Sequence, residues 1–198
     1  MNTINSAASH GEDRKNIRRQ GIKGRDSLDE DRRRVFSSKI VERIISSPEF
    51  INANTIMIYK GVRGEVRLDE LEVVSGDLGK RLVYPLCTSR TEMVALYPHR
   101  TKDSWQKGSF GILEPVREKS TLVLPEEIDL VICPGTAFDM KCNRCGMGGG
   151  YYDRYLPLCT NAHIVLVAFE VQKFNDIPID PWDKPMEKVF TERMVYTR

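Results

Sequence analysis

The sequence lacks a long apolar run and carries little net charge. No apolar stretch in its 198 residues approaches the length of about 20 residues that spans a bilayer, and no signal segment opens the chain, so no membrane partner is expected. A formal net charge of +2 is too small to indicate nucleic acid by itself. Hydrophobic residues at 40% and charged residues at 29% are ordinary for one globular domain with a buried core.

The chain has few cysteines, and their number is odd. Five cysteines in a chain without a secretion signal favour reduced thiols and a cytoplasmic location. Cys142, Cys145, Cys159 and His163 could instead form a zinc site, because zinc takes four such ligands. A helix of about eight residues would separate the two pairs by about 12 Å, however. Ordinary buried thiols are therefore favoured over a zinc site or a redox pair.

Strand patterns and helix patterns alternate along the chain. Short apolar runs at residues 55–59, 130–133 and 164–169 predict buried strands. Ser27 is the predicted N-cap of a helix, with Glu30 completing a capping box before an apolar stripe. The alternation predicts an α/β fold of three layers, α/β/α, with a mostly parallel central sheet. Residues 1–13 are expected to form a disordered leader and residues 14–198 a single domain.

The most informative stretch is a glycine-rich segment between a strand and a helix. The strand ends at Pro134 and Gly135, and the helix is predicted to begin at Tyr151. Between them lie Arg144 and four glycines in five positions, at 146, 148, 149 and 150. Bare amides that lead into a helix N-terminus can bind a phosphate, so the segment predicts phosphate binding. The glycine count alone fits a flexible loop as well, since neither the dinucleotide motif nor the Walker motif is present.

Longer strings add a family resemblance. The run GMGGGYYDR at residues 146–154, together with Pro134-Gly135, Ala137-Phe138-Asp139 and Arg144, resembles the signature of the 5-formyltetrahydrofolate cyclo-ligase family, the methenyltetrahydrofolate synthetases. The likeness extends from Arg14 to Glu192 and implies a fold similar to that of sugar-phosphate isomerases. The chain departs from the pattern at three places, where Cys142 replaces a glycine, Cys145 a leucine and Trp182 a histidine.

The resemblance assigns two segments to ATP. One is the basic segment near the N-terminus, which comprises Arg14, Lys15, Asn16, Ile17 and Arg18. The other is the glycine segment, which comprises Arg144, Cys145, Gly146, Met147, Gly148, Gly149, Gly150, Tyr151 and Tyr152. By their residues alone, the basic segment also fits a solvated helix face and the two tyrosines also fit packing roles.

The resemblance assigns the remaining site residues to folate, to magnesium and to catalysis. The substrate-binding residues that it implies are Lys60, Glu65, Met93, Met147, Gly148, Gly149, Gly150 and Tyr151. Asp153 and Asp183 are the implied Mg²⁺ ligands, and Arg144 and Tyr151 the implied catalytic residues. Lys60 stands where the family typically has an apolar residue. Without the resemblance, Glu65 would be taken for an exposed surface carboxylate.

The reaction implied by the resemblance converts 5-formyltetrahydrofolate to 5,10-methenyltetrahydrofolate with ATP and Mg²⁺. The formyl oxygen would be phosphorylated by ATP, and the N10 amine would then displace the phosphate. An inactive relative that only binds folate or a nucleotide is an alternative. A nucleic-acid module is another, but no aromatic platform accompanies the basic N-terminus, so no nucleic-acid partner is expected. The expected partners are small molecules, and a monomer is expected.

Overall fold

A computed structural model describes residues 3–62, 64–99, 101, 103–108, 111–181 and 183–198, with side chains from residue 11 onward. The predictions that concern Trp182 lie outside the described residues. The helices are α1 (Thr3–Asp26), α2 (Glu30–Ile45), α3 (Pro48–Asn52), α4 (Asp69–Asp77) and α5 (Tyr151–Tyr155). Among the described residues, no helix is both long enough and apolar enough to cross a membrane.

Twelve strands are described, and eight of them form the central sheet. They are β1 (Thr55–Met57), β2 (Arg81–Cys87), β3 (Met93–Pro98), β4 (Trp105–Lys107), β5 (Leu113–Pro115), β6 (Ser120–Val123), β7 (Leu130–Pro134), β8 (Ala137–Phe138), β9 (Arg144–Cys145), β10 (His163–Val167), β11 (Lys188–Phe190) and β12 (Val195–Thr197). The sheet order is β12-β11-β10-β7-β1-β2-β3-β6. The pairs β4-β5 and β8-β9 form separate two-stranded sheets.

The middle of the sheet is parallel and its edges are antiparallel. Strands β2, β1, β7, β10 and β11 run parallel, whereas β12 on one side and β3 and β6 on the other pair antiparallel. Parallel strands need both faces covered, which explains why their sequences are continuously apolar. The predicted α/β fold with a mostly parallel sheet between helices is confirmed.

Alternate residues of each central strand pack on opposite faces of the sheet. In β7, Leu130 and Ile132 belong to one apolar cluster, while Val131 and Cys133 belong to the other. Helices α2, α3 and α4 contribute to the first cluster, and α5 with the turn that follows it contributes to the second. This period of two is what a strand buried on both faces requires.

One helix boundary differs from the prediction. Asp29, not Ser27, is the N-cap of α2, because its side chain accepts a hydrogen bond from the N–H of Arg32. Ser27 instead donates its hydroxyl to the carbonyl of Gly24 at 2.6 Å, so it caps the end of α1. Helix α1 begins at Thr3, and no change of secondary structure marks residue 13. Extending a helix is easier than starting one, which explains why the backbone is helical before Arg14. The division into leader and domain stays a prediction.

Candidate functional site

The carboxyl ends of three parallel strands open into one cavity of about 300 Å³. Its wall includes Tyr59 after β1, Cys87 at the end of β2 and Gly135 after β7. Ligands of open α/β sheets bind at this edge, since the loops that follow the strands converge there. The cavity is therefore the candidate site.

A hairpin carries the glycine loop into the cavity. Strands β8 and β9 pair antiparallel, and the carboxylate of Asp139 holds the turn between them. It accepts hydrogen bonds from the N–H groups of Lys141, Asn143 and Ile177 at 2.9–3.0 Å. Cys142 in this turn has φ 61°, a conformation that favours glycine and strains other residues by about 1–2 kcal/mol. The hydrogen bonds of Asp139 explain how the turn keeps its shape with cysteine there.

The glycine loop itself needs glycine at two positions. Gly148 has φ 95° and Gly150 has φ 68°. A Cβ on Gly148 would lie 3.1 Å from the guanidinium carbon of Arg18, so a side chain would press on this arginine. Gly150 is the N-cap of α5, and the loop's amides therefore lead directly into a helix. Backbone of this kind can approach an anion closely.

Arg144 lies under this loop with little exposure to solvent. Its side chain is 5% exposed, and its Nη2 lies 2.5 Å from Oδ1 of Asp153. Its Nη1 donates to the carbonyl of Pro134, and its guanidinium carbon lies 5.3 Å from the centre of the Tyr152 ring. A charged group held from three sides keeps one position, which suits the neutralisation of a developing charge.

Helix α1 brings further arginines to the same loop. Arg14 and Arg18 are four residues apart and Gly21 follows three later, so the three share one helix face. Arg18 donates from Nε to the carbonyl of Gly146 at 2.7 Å, and both side chains line the cavity. A Cβ at Gly21 would lie only 2.0 Å from the carbonyl oxygen of Thr136. Glycine at this position is what lets the helix approach the site so closely.

Arg14 connects α1 to the segment before β11. Its Nη1 lies 2.7 Å from Asp180 and 2.6 Å from Asp183. Asp183 also accepts the backbone N–H of Asp180 at 2.8 Å, and its side chain is 9% exposed. Both predicted metal ligands are thus paired with an arginine, Asp153 with Arg144 and Asp183 with Arg14. Only Asp153 of the two lines the cavity.

The same cavity is also lined by residues predicted to contact folate. Met93 and Glu65 line it, and Glu65 accepts the N–H of Val62 at 3.1 Å. Lys60 also lines it, with its ammonium 2.5 Å from Glu72 and 5.0 Å from the centre of the Trp105 ring. The positive charge at this position, where an apolar residue is typical, is therefore balanced by Glu72.

Most of the predicted site residues meet at the cavity. Those that line it are Arg14, Arg18, Lys60, Glu65, Met93, Arg144, Gly146, Met147, Gly148, Gly149, Gly150, Tyr151, Tyr152 and Asp153. Five predicted residues do not line it, namely Lys15, Asn16, Ile17, Cys145 and Asp183. Lys15 and Asn16 are exposed on the far side of α1, and Ile17 packs against the small cluster that contains Cys145.

The sequence prediction missed several lining residues. They are Tyr59, Val62, Tyr84, Pro85, Cys87, Ile112, Leu113 and Glu114. Tyr59, Val62 and Cys87 end or follow β1 and β2, so strand ends alone could have indicated them, whereas Tyr84 and Pro85 lie within β2. The last three come from the segment around β5, whose position depends on pairing with β4.

Four of the five cysteines are buried, and Cys87 is exposed at the end of β2. Cys142 and Cys159 belong to one apolar cluster and Cys145 to another, while His163 pairs with Glu187 at 2.7 Å. Burial raises the pKa of Cys133 to about 12 and that of Cys159 to about 11. Within the described ranges, no three His, Cys, Asp or Glu side chains are grouped to hold a metal ion.

Comparison with known proteins shows the family of the chain. The sequence profile of the 5-formyltetrahydrofolate cyclo-ligase family matches residues 10–192. The chain belongs to this family. The 5-formyltetrahydrofolate cyclo-ligase of Haemophilus influenzae is 29% identical over 150 residues, which are 74% of this chain and 80% of that protein. The mouse cyclo-ligase is 29% identical over 168 residues, which are 77% of this chain and 80% of the mouse protein.

A solved structure of a cyclo-ligase family member is also similar. The 5,10-methenyltetrahydrofolate synthetase of Aquifex aeolicus superposes with a TM-score of 0.79 at 32% identity. The match covers 93% of this chain and 92% of that one. The predictions that the chain resembles this family and is an enzyme of it are confirmed.

Proposed function

We propose that the protein converts 5-formyltetrahydrofolate to 5,10-methenyltetrahydrofolate with ATP, and that the cavity is its active site. The observation that carries the proposal is that two sets of residues line one cavity. A glycine loop with Arg144 and Arg18 forms one set, and Glu65 with Met93 forms the other. The first set suits phosphates and the second suits a folate, so the two substrates would meet in this cavity.

The reaction has two steps. The formyl oxygen attacks the γ-phosphorus of ATP and the bond to ADP breaks, which leaves phosphate on the former formyl oxygen. The N10 amine then attacks the formyl carbon and loses its proton, and the carbon–oxygen bond breaks to release inorganic phosphate. Positioning and charge neutralisation carry such a route more than a strong base does.

The chain's own residues supply that positioning. The amides of residues 146–150 bind the phosphates, and Arg144 neutralises charge on the transferring group. Tyr151 lies at the junction of the two substrates, where its hydroxyl donates to the carbonyl of Ser89 at 3.1 Å. Arg14 and Arg18 bind ATP from α1. Both arginines line the cavity, which supports a role in ATP binding rather than in nucleic-acid binding.

Magnesium fits the site at Asp153, whose carboxylate lines the cavity beside the glycine loop. When bound, the metal neutralises the ATP phosphates, with one or two carboxylates among its ligands. Asp153 and Asp183 are the proposed ligands. Phosphate oxygens would then replace these carboxylates as partners of Arg144 and Arg14, so that each charge keeps a counter-charge.

Location and assembly are part of the proposal. All five cysteines are free thiols, which suits a reducing compartment, and we assign the protein to the cytoplasm. We also propose that the protein acts as a monomer.

An absorbance assay for methenyltetrahydrofolate tests the reaction. Product should form from 5-formyltetrahydrofolate when ATP and magnesium are supplied, with ADP and phosphate released in equal amounts. Omission of either ATP or magnesium should stop it. Folate binding without turnover would indicate an inactive relative, and no binding of either substrate would contradict the proposed function.

A charge-removal variant tests the metal ligands. Asp153→Asn keeps the size of the side chain but removes its charge, so turnover should fall by about 10–100-fold. Thermal stability should also fall, because the nearly buried Arg144 loses its counter-charge. Asp183→Asn should have a smaller effect. Raising the magnesium concentration should partly restore both variants. Wild-type turnover by both variants at limiting magnesium would show that the metal binds elsewhere.

A further inference from the structure

Arg25 is a buried cation that the proposed reaction does not use. It is 1% exposed, lies near the end of α1 and is not part of the cavity wall. Its Nη1 lies 3.5 Å from Oε1 of Glu65, which does line the cavity. Arg25 therefore reaches the site only through another residue.

The energetics argue against a role in stability alone. An arginine must be stripped of water to be buried, and a single long ion pair recovers little of that cost. Among the described residues, none accepts a hydrogen bond from the buried Nε of Arg25. An apolar side chain of similar size would be at least as stable here, so the charge itself needs a reason.

The loop that carries Glu65 is held tightly. The N–H of Glu65 donates to the carbonyl of Val62, and Oε2 of Glu65 accepts the N–H of Val62. The buried hydroxyl of Tyr59 donates to the carbonyl of Val66 at 2.9 Å. These bonds fix the backbone and one carboxylate oxygen. Arg25 lies 3.5 Å from the other oxygen, Oε1, so it contributes to the position of the carboxylate.

The side chains of Tyr59 and Tyr152 lie within electrostatic range of Glu65. Burial raises the pKa of Tyr59 and of Tyr152 well above the ordinary value, and the charge of Glu65 raises both further. Both hydroxyls therefore remain uncharged near neutral pH. Arg25 supplies a positive charge that balances the carboxylate from behind the cavity wall.

We propose that Arg25 is a positioning residue, which directs the Glu65 carboxylate toward the folate. The inference rests on the proposed function, in which Glu65 contacts folate. Arg14, Arg18 and Arg25 share one face of α1, since they are spaced by four and seven residues. One rigid helix thus connects the residues proposed to bind ATP to those proposed to bind folate.

The test compares variants of both partners in steady-state kinetics. Arg25→Met should raise the KM for 5-formyltetrahydrofolate about tenfold, the change expected when one polar contact is misdirected, with the KM for ATP nearly unchanged. Arg25→Lys, which keeps the charge, should raise the KM for 5-formyltetrahydrofolate less. In a Glu65→Gln background, Arg25→Met should add almost nothing, because the group it directs is already gone. Arg19→Met on the exposed side of the same helix is the matched control and should behave as wild type.

Each of the other possible outcomes would contradict one particular part of the proposal. Equal increases in both KM values, or additive effects in the double variant, would make Arg25 a structural residue. A large effect of Glu65→Gln without one of Arg25→Met would remove the inference and leave the proposed function standing. No effect of Glu65→Gln would remove the folate role of Glu65 itself. Should Arg25→Met fail to fold, Arg25→Lys and its Glu65→Gln double variant decide in the same way.

Discussion

Helices α1 and α2 follow one another and are both rich in basic residues, yet they attach to the protein in opposite ways. Helix α2 buries Ile40, Val41 and Ile44 against the sheet. Helix α1 instead packs through Gly21, which lacks a Cβ and so leaves room for the carbonyl of Thr136. Its arginines also pair with loops of the candidate site. Burial of apolar surface fixes α2, whereas contacts with loops of the candidate site fix α1. Helix α2 therefore serves the fold, and helix α1 carries arginines of the proposed active site.

Removal of apolar surface from α2 should cause the largest change in stability. Ile44 is fully buried, so Ile44→Ala should lower the free energy of unfolding by about 2–5 kcal/mol through lost burial and the cavity left behind. Both KM values should stay at wild-type levels below the unfolding temperature. Urea denaturation and kinetics on the same sample measure the two effects. Val35→Ala, at an exposed position of the same helix, is the control and should change stability by less than about 0.5 kcal/mol. A changed KM for either substrate in Ile44→Ala would contradict the distinction between α1 and α2.

A Cβ on α1 should instead affect activity more than stability. Gly21→Ala would place an atom 2.0 Å from the Thr136 carbonyl oxygen, so the helix must shift and carry its arginines with it. Displacement by about 1 Å can cost about 100-fold in rate, and we expect a loss of kcat/KM of that order. Alanine favours helix more than glycine does, which partly offsets the loss of packing. Gly11→Ala, where nothing lies within 4 Å, is the control and should keep full activity.

Single arginines of α1 should have smaller and more selective effects. A charge-assisted hydrogen bond to phosphate contributes about 1.5–3 kcal/mol, so Arg14→Ala or Arg18→Ala should raise the KM for ATP by about 10–100-fold. The KM for folate should change much less. Arg19→Ala, on the solvent side, should be close to neutral. Equal weakening of both substrates would mean that the helix had detached.

What could be predicted from the sequence is mostly local. The strands β1, β7 and β10 can be predicted from their apolar runs alone, because a strand that is buried on both faces does not alternate apolar with polar residues. The glycine loop is likewise local, and Gly148 and Gly150 have the positive φ angles that a glycine-rich segment suggests. The assignment of roles came from family resemblance, since the glycines alone also fit an ordinary loop.

What could not be predicted depends on distant contacts. Gly21 meets the backbone of Thr136, and Arg25 meets Glu65, across separations that no local pattern reveals. The N-cap of α2 was misassigned because Ser27 and Asp29 are both good capping residues, and only the structure separates their partners. The pairing of Arg14 with Asp183 joins residues 169 positions apart.

The position of β12 has a practical consequence for handling the protein. It pairs antiparallel with β11 and covers the apolar strand Lys188–Phe190 along one side. If β12 is removed or pulled away, the backbone groups of β11 on that side lose their partners and can pair with another molecule. We therefore expect a chain cut before Val195 to aggregate, which light scattering during concentration would reveal. For the same reason, an affinity tag is better attached away from this strand.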